Sequence, residues 1–220
     1  MKRYIGIDQS LSCTAICILN NIDTKPKFIV FHKAKAGKWH KTLDMLTTFK
    51  QITYSTYPKS HTKSELLKLT DYLKITTDII STLEISETDT VAIEGYAMRS
   101  KGNVADLFAF GTLLRERIYL KTTKLVVIPP MSLKVNFASL IYEADKKGVY
   151  RNSAGIAAGS FSKTEMLQGL FDMAEPNLLQ EHLHEYKEDL LSLKNVPGPI
   201  NDCVDAYAAA LLIKNKDRDV

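Results

Sequence analysis

Met1-Lys-Arg-Tyr4-Ile-Gly-Ile-Asp8-Gln-Ser-Leu-Ser-Cys13-Thr-Ala-Ile-Cys-Ile-Leu19 is the stretch on which the fold turns. Tyr4, Ile5 and Ile7 read as a short buried strand, Gln9-Ser10 as a polar turn, and Cys13 to Leu19 as a second strand returning beside the first. This leaves Asp8 at the carboxyl end of a central strand, where open α/β sheets bind their ligands. The same residue also suits an Asx-type turn. The choice depends on whether the rest of the chain supplies partners.

Outward from that hairpin, Lys27 to Ala34 alternates as a third strand, which completes an antiparallel meander. Ala36 to Ser64 carries Gly37, Trp39, His40 and Pro58 without one period and reads as a long loop. Leucines and isoleucines then recur at helical steps from about Lys63 to Leu83. Thr90 to Ile93 is a short apolar run of the kind found in buried parallel strands, and it ends in Glu94. A helix follows from Asn103 to Lys121, where Gly111 suggests the close approach of another backbone. Leu125 to Ile128 reads as a second buried parallel strand, stopped by Pro129-Pro130.

Further on, Ser132 to Ile141 reads as a helix and Asp145 to Ser160 as a flexible loop. Ser162 caps another helix with Glu165 as its capping-box partner. Glu175 to Pro199 reads as a connecting excursion with some helix. The last segment, Asn201 to Ile213, is a strong helix with Asn201 as N-cap and an alanine run that lets it lie close to the sheet. The expectation is a single α/β domain over residues 1–220, with long loops near 36–64, 138–161 and 175–200. Its sheet is mixed, a three-strand antiparallel meander plus parallel strands, flanked by helices.

Composition narrows the function classes. No apolar run is long enough to span a bilayer, and Arg3 and Asp8 interrupt the first stretch too early for a signal peptide, so a cytoplasmic protein with no membrane partner is expected. Cys13, Cys17 and Cys203 have neither disulfide-framework nor zinc-ligand spacing and are expected as free thiols. The net charge of +4 is modest, but six lysines and no acid lie between Thr24 and Leu43, and Arg99, Lys101, Arg115 and Lys121 follow in the middle of the chain.

Four carboxylates stand out: Asp8, Glu94, Asp202 and Asp205. The last two are three residues apart and so share a helix face. If that face packs over the strand ends, the site gathers four hard oxygen donors suited to Mg²⁺. Two Mg²⁺ ions would neutralise them and support phosphodiester hydrolysis, with Mn²⁺ as a substitute. Setting those four acids aside leaves 29 basic side chains against 21 acidic ones, an excess that favours a polyanion. Asp202 and Asp205 also suit a plain helix-dipole role.

The blocks Tyr-Ile-Gly-Ile-Asp8, Val-Ala-Ile-Glu94-Gly, Val-Ile-Pro-Pro130 with Lys134 after it, Ser-Lys163-Thr and Asn-Asp202-Cys-Val-Asp205-Ala resemble, in that order, the RuvC-type Holliday junction resolvases. That resemblance implies a ribonuclease-H-like fold and a Mg²⁺-dependent endonuclease that nicks four-way DNA junctions symmetrically as a homodimer. It places Asp8, Glu94, Asp202 and Asp205 on the family's catalytic metal-binding acids, and Lys134 and Lys163 near its DNA-backbone contacts. Arg99, Lys101 and Tyr96 belong to the loop that in the family meets DNA, where Tyr96 and Met98 are uneven substitutes for the usual aromatic residue. The long loops resemble a divergent, phage-type relative. The other classes left open are a broader branched-DNA or flap nuclease, a catalytically silent DNA-binding protein of the same fold, and an actin-like ATP phosphotransferase. The last lacks a second glycine-rich phosphate loop.

Overall fold

The computed structural model describes residues 1–21, 25–33, 37–96, 104–175 and 177–217. Its centre is a six-stranded mixed sheet formed by β1 (Arg3–Asp8), β2 (Cys13–Asn20), β3 (Lys27–His32), β4 (Thr47–Gln51), β5 (Thr90–Glu94) and β6 (Leu125–Ile128), in the order β4-β3-β2-β1-β5-β6. β1, β2 and β3 form the expected antiparallel meander, while β5 lies parallel to β1 and β6 parallel to β5. This is the mixed architecture that the hairpin and the two apolar runs called for.

Alternation along the strands sorts side chains onto two faces. Ile5, Ile7, Ile16, Ile18, Val91 and Ile93 pack under α2 (His61–Leu83) and α3 (Val104–Tyr119). Tyr4, Ala15, Cys17, Leu19 and Ala92 face the opposite layer, in which α8 (Gly198–Lys216) is the central helix. By the same period of two, Asp8 and Glu94 fall on the α8 side. Gly6 explains how closely α8 approaches, because a Cβ there would run into the backbone of Ala206 and Ala210. The alanine run does bring the last helix down onto the sheet.

Several details depart from expectation. The segment read as a long loop holds α1 (Lys38–Leu43) and the edge strand β4, which is parallel to β3. β4 is mostly exposed and therefore shows no apolar alternation. β6 is an edge strand and not a buried one: Val126 and Val127 are 39% and 46% exposed. Residues 145–160 form an ordered double turn, with bridges between Ala144 and Tyr150 and between Arg151 and Ala157 and left-handed glycines at 148 and 155. Asp145 and Asn152 close those turns by accepting from backbone amides.

α4 (Pro130–Ser139) and α5 (Lys163–Asp172) match the predicted helices, and α5 carries the predicted Ser162–Glu165 capping box. The 175–200 excursion contains α6 (Leu178–Leu183) and α7 (Lys187–Ser192). Asn201 is not an N-cap, since α8 starts at Gly198 with Pro199 in its first turn. All three cysteines are free. Among the described residues no helix is long and apolar enough to cross a membrane.

Candidate functional site

At the carboxyl ends of β1 and β5, beside the first turns of α8, lies a cavity of about 510 Å³. Asp8, Glu94, Asp202 and Asp205 all line it, with Lys134 from α4 and Lys163 from α5. Each arrives for a local reason. The strand period turns Asp8 and Glu94 to the α8 side, and helical spacing turns Asp202 and Asp205 down towards them. Because α8 begins earlier than predicted, neither helix acid lies in its first turn, which removes the simple helix-dipole explanation. A cavity of about 540 Å³ near Tyr207 and Lys214 mixes acids and lysines without acids from strand ends.

The electrostatics follow from crowding like charges in a half-buried space. Asp8 and Asp202 are 9% and 8% exposed. Burial first, and then the charges of Glu94, Asp202 and Asp205, push Asp8 well above the carboxylate range. The Asp8 carboxyl lies within hydrogen-bonding reach of both Glu94 and Asp202. Burial also raises Glu94, against the opposing pull of Asp8, Lys134 and Lys163. Asp202 is raised by burial and partly relieved by the Cys13 thiol and Lys163. Asp205 is pushed up to about 7 by burial and by Glu94 and Asp202.

Four negative charges cannot stand together there without protons or cations. Among the described residues no three of these groups are already drawn around one point as ligands; Asp8 instead lies within hydrogen-bonding reach of its neighbours. The donor set still fits a hard divalent cation by its chemistry, since all four groups are carboxylates and Lys134 and Lys163 only partly offset them. A fifth oxygen is also available. Asn201, 2% exposed, donates from Nδ2 to Asp202 at 3.3 Å and to Asp205 at 3.0 Å, while its Oδ1 is buried without a hydrogen-bond partner.

Asn201, Cys13 and Gln9 are residues of this cavity that sequence reading missed. Asn201 stands one residue before Asp202 and four before Asp205, spacing that places it on their face, but its fitness as a cap hid that role. Lys134 Nζ donates to the Phe161 carbonyl, so the α4 lysine is tied to the turn preceding α5. Tyr96 packs against Phe108 with ring centroids 3.9 Å apart, lies 4.0 Å from the Arg115 guanidinium, and donates from its hydroxyl to the Phe108 carbonyl at 3.1 Å. Arg99, Lys101 and Met98 lie outside the described residues.

No family model matches the chain, and no curated relative does. Solved structures do. RuvC from Thermus thermophilus aligns with 99% of this chain and 95% of its own, at 12% identity and a TM-score of 0.44. The same protein in complex with a Holliday junction substrate aligns over 100% and 96%, also at 12% and 0.44. The yeast mitochondrial Holliday junction resolvase Ydc2 aligns over 97% and 80%, at 14% identity and 0.47. The chain is similar in fold to these resolvases.

Proposed function

We propose that the chain is a Mg²⁺-dependent, structure-selective DNA endonuclease that resolves four-way junctions by paired, symmetric nicks as a homodimer. The observation that carries this is the meeting of four carboxylates from β1, β5 and α8 with two lysines in one cavity. The ordered sequence blocks support it independently, because the acids that share the cavity are the same ones those blocks single out. Asp8, Glu94, Asp202 and Asp205 hold the metal, with Mn²⁺ able to replace Mg²⁺. When bound, a pair of such ions supplies an activated water on one side of a phosphodiester and charge compensation on the other.

The chain's own groups do the rest. Lys134 and Lys163 hold the phosphate against the acids and lower its charge, and Lys163 is exposed enough to reach DNA. Asn201 keeps Asp202 and Asp205 aimed together, since both accept from one amide. Cys13 gives Asp202 a neutral donor. Arg99 and Lys101, read from the sequence as DNA contacts, add positive charge that favours the phosphate backbone. A two-fold protein matches the two equivalent cleavage positions of a four-way junction.

The test is cleavage of an end-labelled synthetic four-way junction with and without Mg²⁺, alongside a linear duplex and a flap. Wild type is expected to give symmetric paired nicks on the junction only with metal, and Asp8→Asn to bind the junction without cutting it. Equal cutting of flap and junction would replace this function by a general branched-DNA nuclease. Binding without cutting in either Mg²⁺ or Mn²⁺ would leave a DNA-binding protein.

A further inference from the structure

Glu94 is held by its main chain as well as by its place at the end of β5. Its carbonyl oxygen accepts from Gln9 Nε2 at 3.1 Å and from Arg115 Nη2 at 3.2 Å. A carbonyl has two lone pairs, so both are spoken for. Gln9 follows Asp8 directly, which means one donor ties the neighbour of the first acid to the backbone of the second. The other donor comes from α3 on the far layer of the sheet.

The arrangement around Arg115 is built closely. Its guanidinium carbon sits 4.0 Å from the centroid of the Tyr96 ring, a cation–π distance. Gly111, one turn earlier on α3, leaves the room: a Cβ there would stand 2.5 Å from Gln9 Oε1 and 2.6 Å from the Tyr96 hydroxyl. Gly111 therefore answers to two side chains, and not to another backbone as its position in the helix had suggested. Arg115 Nε and Gln9 Oε1 are both buried without hydrogen-bond partners. Among the described residues Arg115 forms no ion pair. A partly buried cation that bonds a neutral carbonyl and leaves one donor unused costs stability, and the return is geometric.

We propose that Arg115 is a positioning residue for the metal-binding centre, acting with Gln9 through the Glu94 carbonyl to fix the direction in which β5 presents the Glu94 carboxylate to Asp8. The proposal, which rests on the nuclease reading for its chemistry, makes Tyr96 the seat of that guanidinium. Outer residues that orient a ligand in this way change metal affinity by about 10- to 100-fold when removed.

The experiment measures Mn²⁺ binding to the whole chain without DNA by titration calorimetry, together with single-turnover cleavage of a pre-bound four-way junction across Mg²⁺ concentrations. Arg115→Ala is expected to weaken Mn²⁺ binding about tenfold and raise the Mg²⁺ needed for half-maximal cleavage. Junction affinity in EDTA should stay within about twofold of wild type, because the residue meets no phosphate on this account. Added guanidinium ion should restore Arg115→Ala in part, whereas Arg115→Lys, lacking the planar fork, should remain impaired. Gln9→Ala, which removes the other donor, should shift metal binding in the same direction and serves if Arg115→Ala does not fold.

Unchanged Mn²⁺ affinity in both variants, with only a lower melting temperature, would overturn the proposal. So would a loss of junction binding in step with the loss of cleavage, which would make Arg115 a DNA contact. Wild type whose Mn²⁺ affinity falls on loss of Arg115 or Gln9 yet which cuts no DNA would sink the nuclease reading and leave the positioning role standing. Wild type that binds no Mn²⁺ would remove both.

Discussion

Replacing Asp205 by Asn should stabilise the metal-free protein while abolishing its cleavage. Asp205 is pushed up to about 7 by burial and by the charges of Glu94 and Asp202. Its folded-state pKa is thus raised above the ordinary carboxylate value of 3.8. Folding therefore favours the protonated acid: this contribution to stability is fully present below about pH 4 and is lost as the pH climbs to about 7. A shift of about three units at about 1.4 kcal/mol each gives an upper figure of about 4 kcal/mol for the ionised group. The repulsion is shared with Asp8, which counts Asp205 among the charges that raise it, so removing one member recovers roughly 2–4 kcal/mol. Asn is the right replacement because its side-chain oxygen still accepts from Asn201 Nδ2, now 3.0 Å from the Asp205 carboxylate.

The assay is thermal unfolding followed by circular dichroism in EDTA at pH 4, 6 and 8. For a chain of this length each kcal/mol moves the midpoint by about 2–4 °C, so Asp205→Asn should melt roughly 5–15 °C above wild type at pH 8 and level with it at pH 4. Adding Mg²⁺ should close the gap at pH 8, because a ligand that binds only the folded state stabilises wild type and finds a poorer site in the variant. A variant no more stable than wild type at pH 8, or a difference that ignores pH, would refute the electrostatic account of the cavity.

Two further outcomes follow from the packing. Arg3 reaches the fully buried Asp89 at 2.5 Å and also bonds the carbonyls of Leu83 and Glu84, holding Asp89 below the carboxylate range against the cost of burial; Arg3→Ala should destabilise by about 3–5 kcal/mol in denaturant unfolding at pH 7, with the difference shrinking as the pH falls below about 4. Gly6→Ala should force α8 away from β1, costing about 1–3 kcal/mol or more in stability and weakening Mn²⁺ binding, since α8 carries Asp202 and Asp205; unchanged metal binding would show that the acids tolerate that displacement.

Much of the architecture was legible because its signals are periodic. The meander showed as alternation, β5 as an apolar run ended by an acid, and α5 as a capping box. β4 was not legible: an exposed edge strand needs no apolar face, and its pairing partner β3 is known only from the fold. β6 misled in the other direction, since a run of Leu and Val reads as buried whether or not a neighbour covers it.

The four acids were legible as chemistry because carboxylates at strand ends and one helical turn apart need partners. Gln9, Asn201 and Arg115 were not, because a polar residue that works by bonding a carbonyl or a neighbouring carboxylate leaves no pattern in the chain. Asn201 even carried a contrary signal, having the residue type of a helix cap where the helix had already begun.

The most direct test of the central claim is to incubate a supercoiled plasmid bearing an extruded cruciform with the wild-type chain, with Mg²⁺ or EDTA, and to resolve the products. A metal-dependent resolvase converts the plasmid directly to linear form by two nicks across the junction, and Asp8→Asn leaves it supercoiled. Failure of wild type to cut in either Mg²⁺ or Mn²⁺ would contradict the account at its centre.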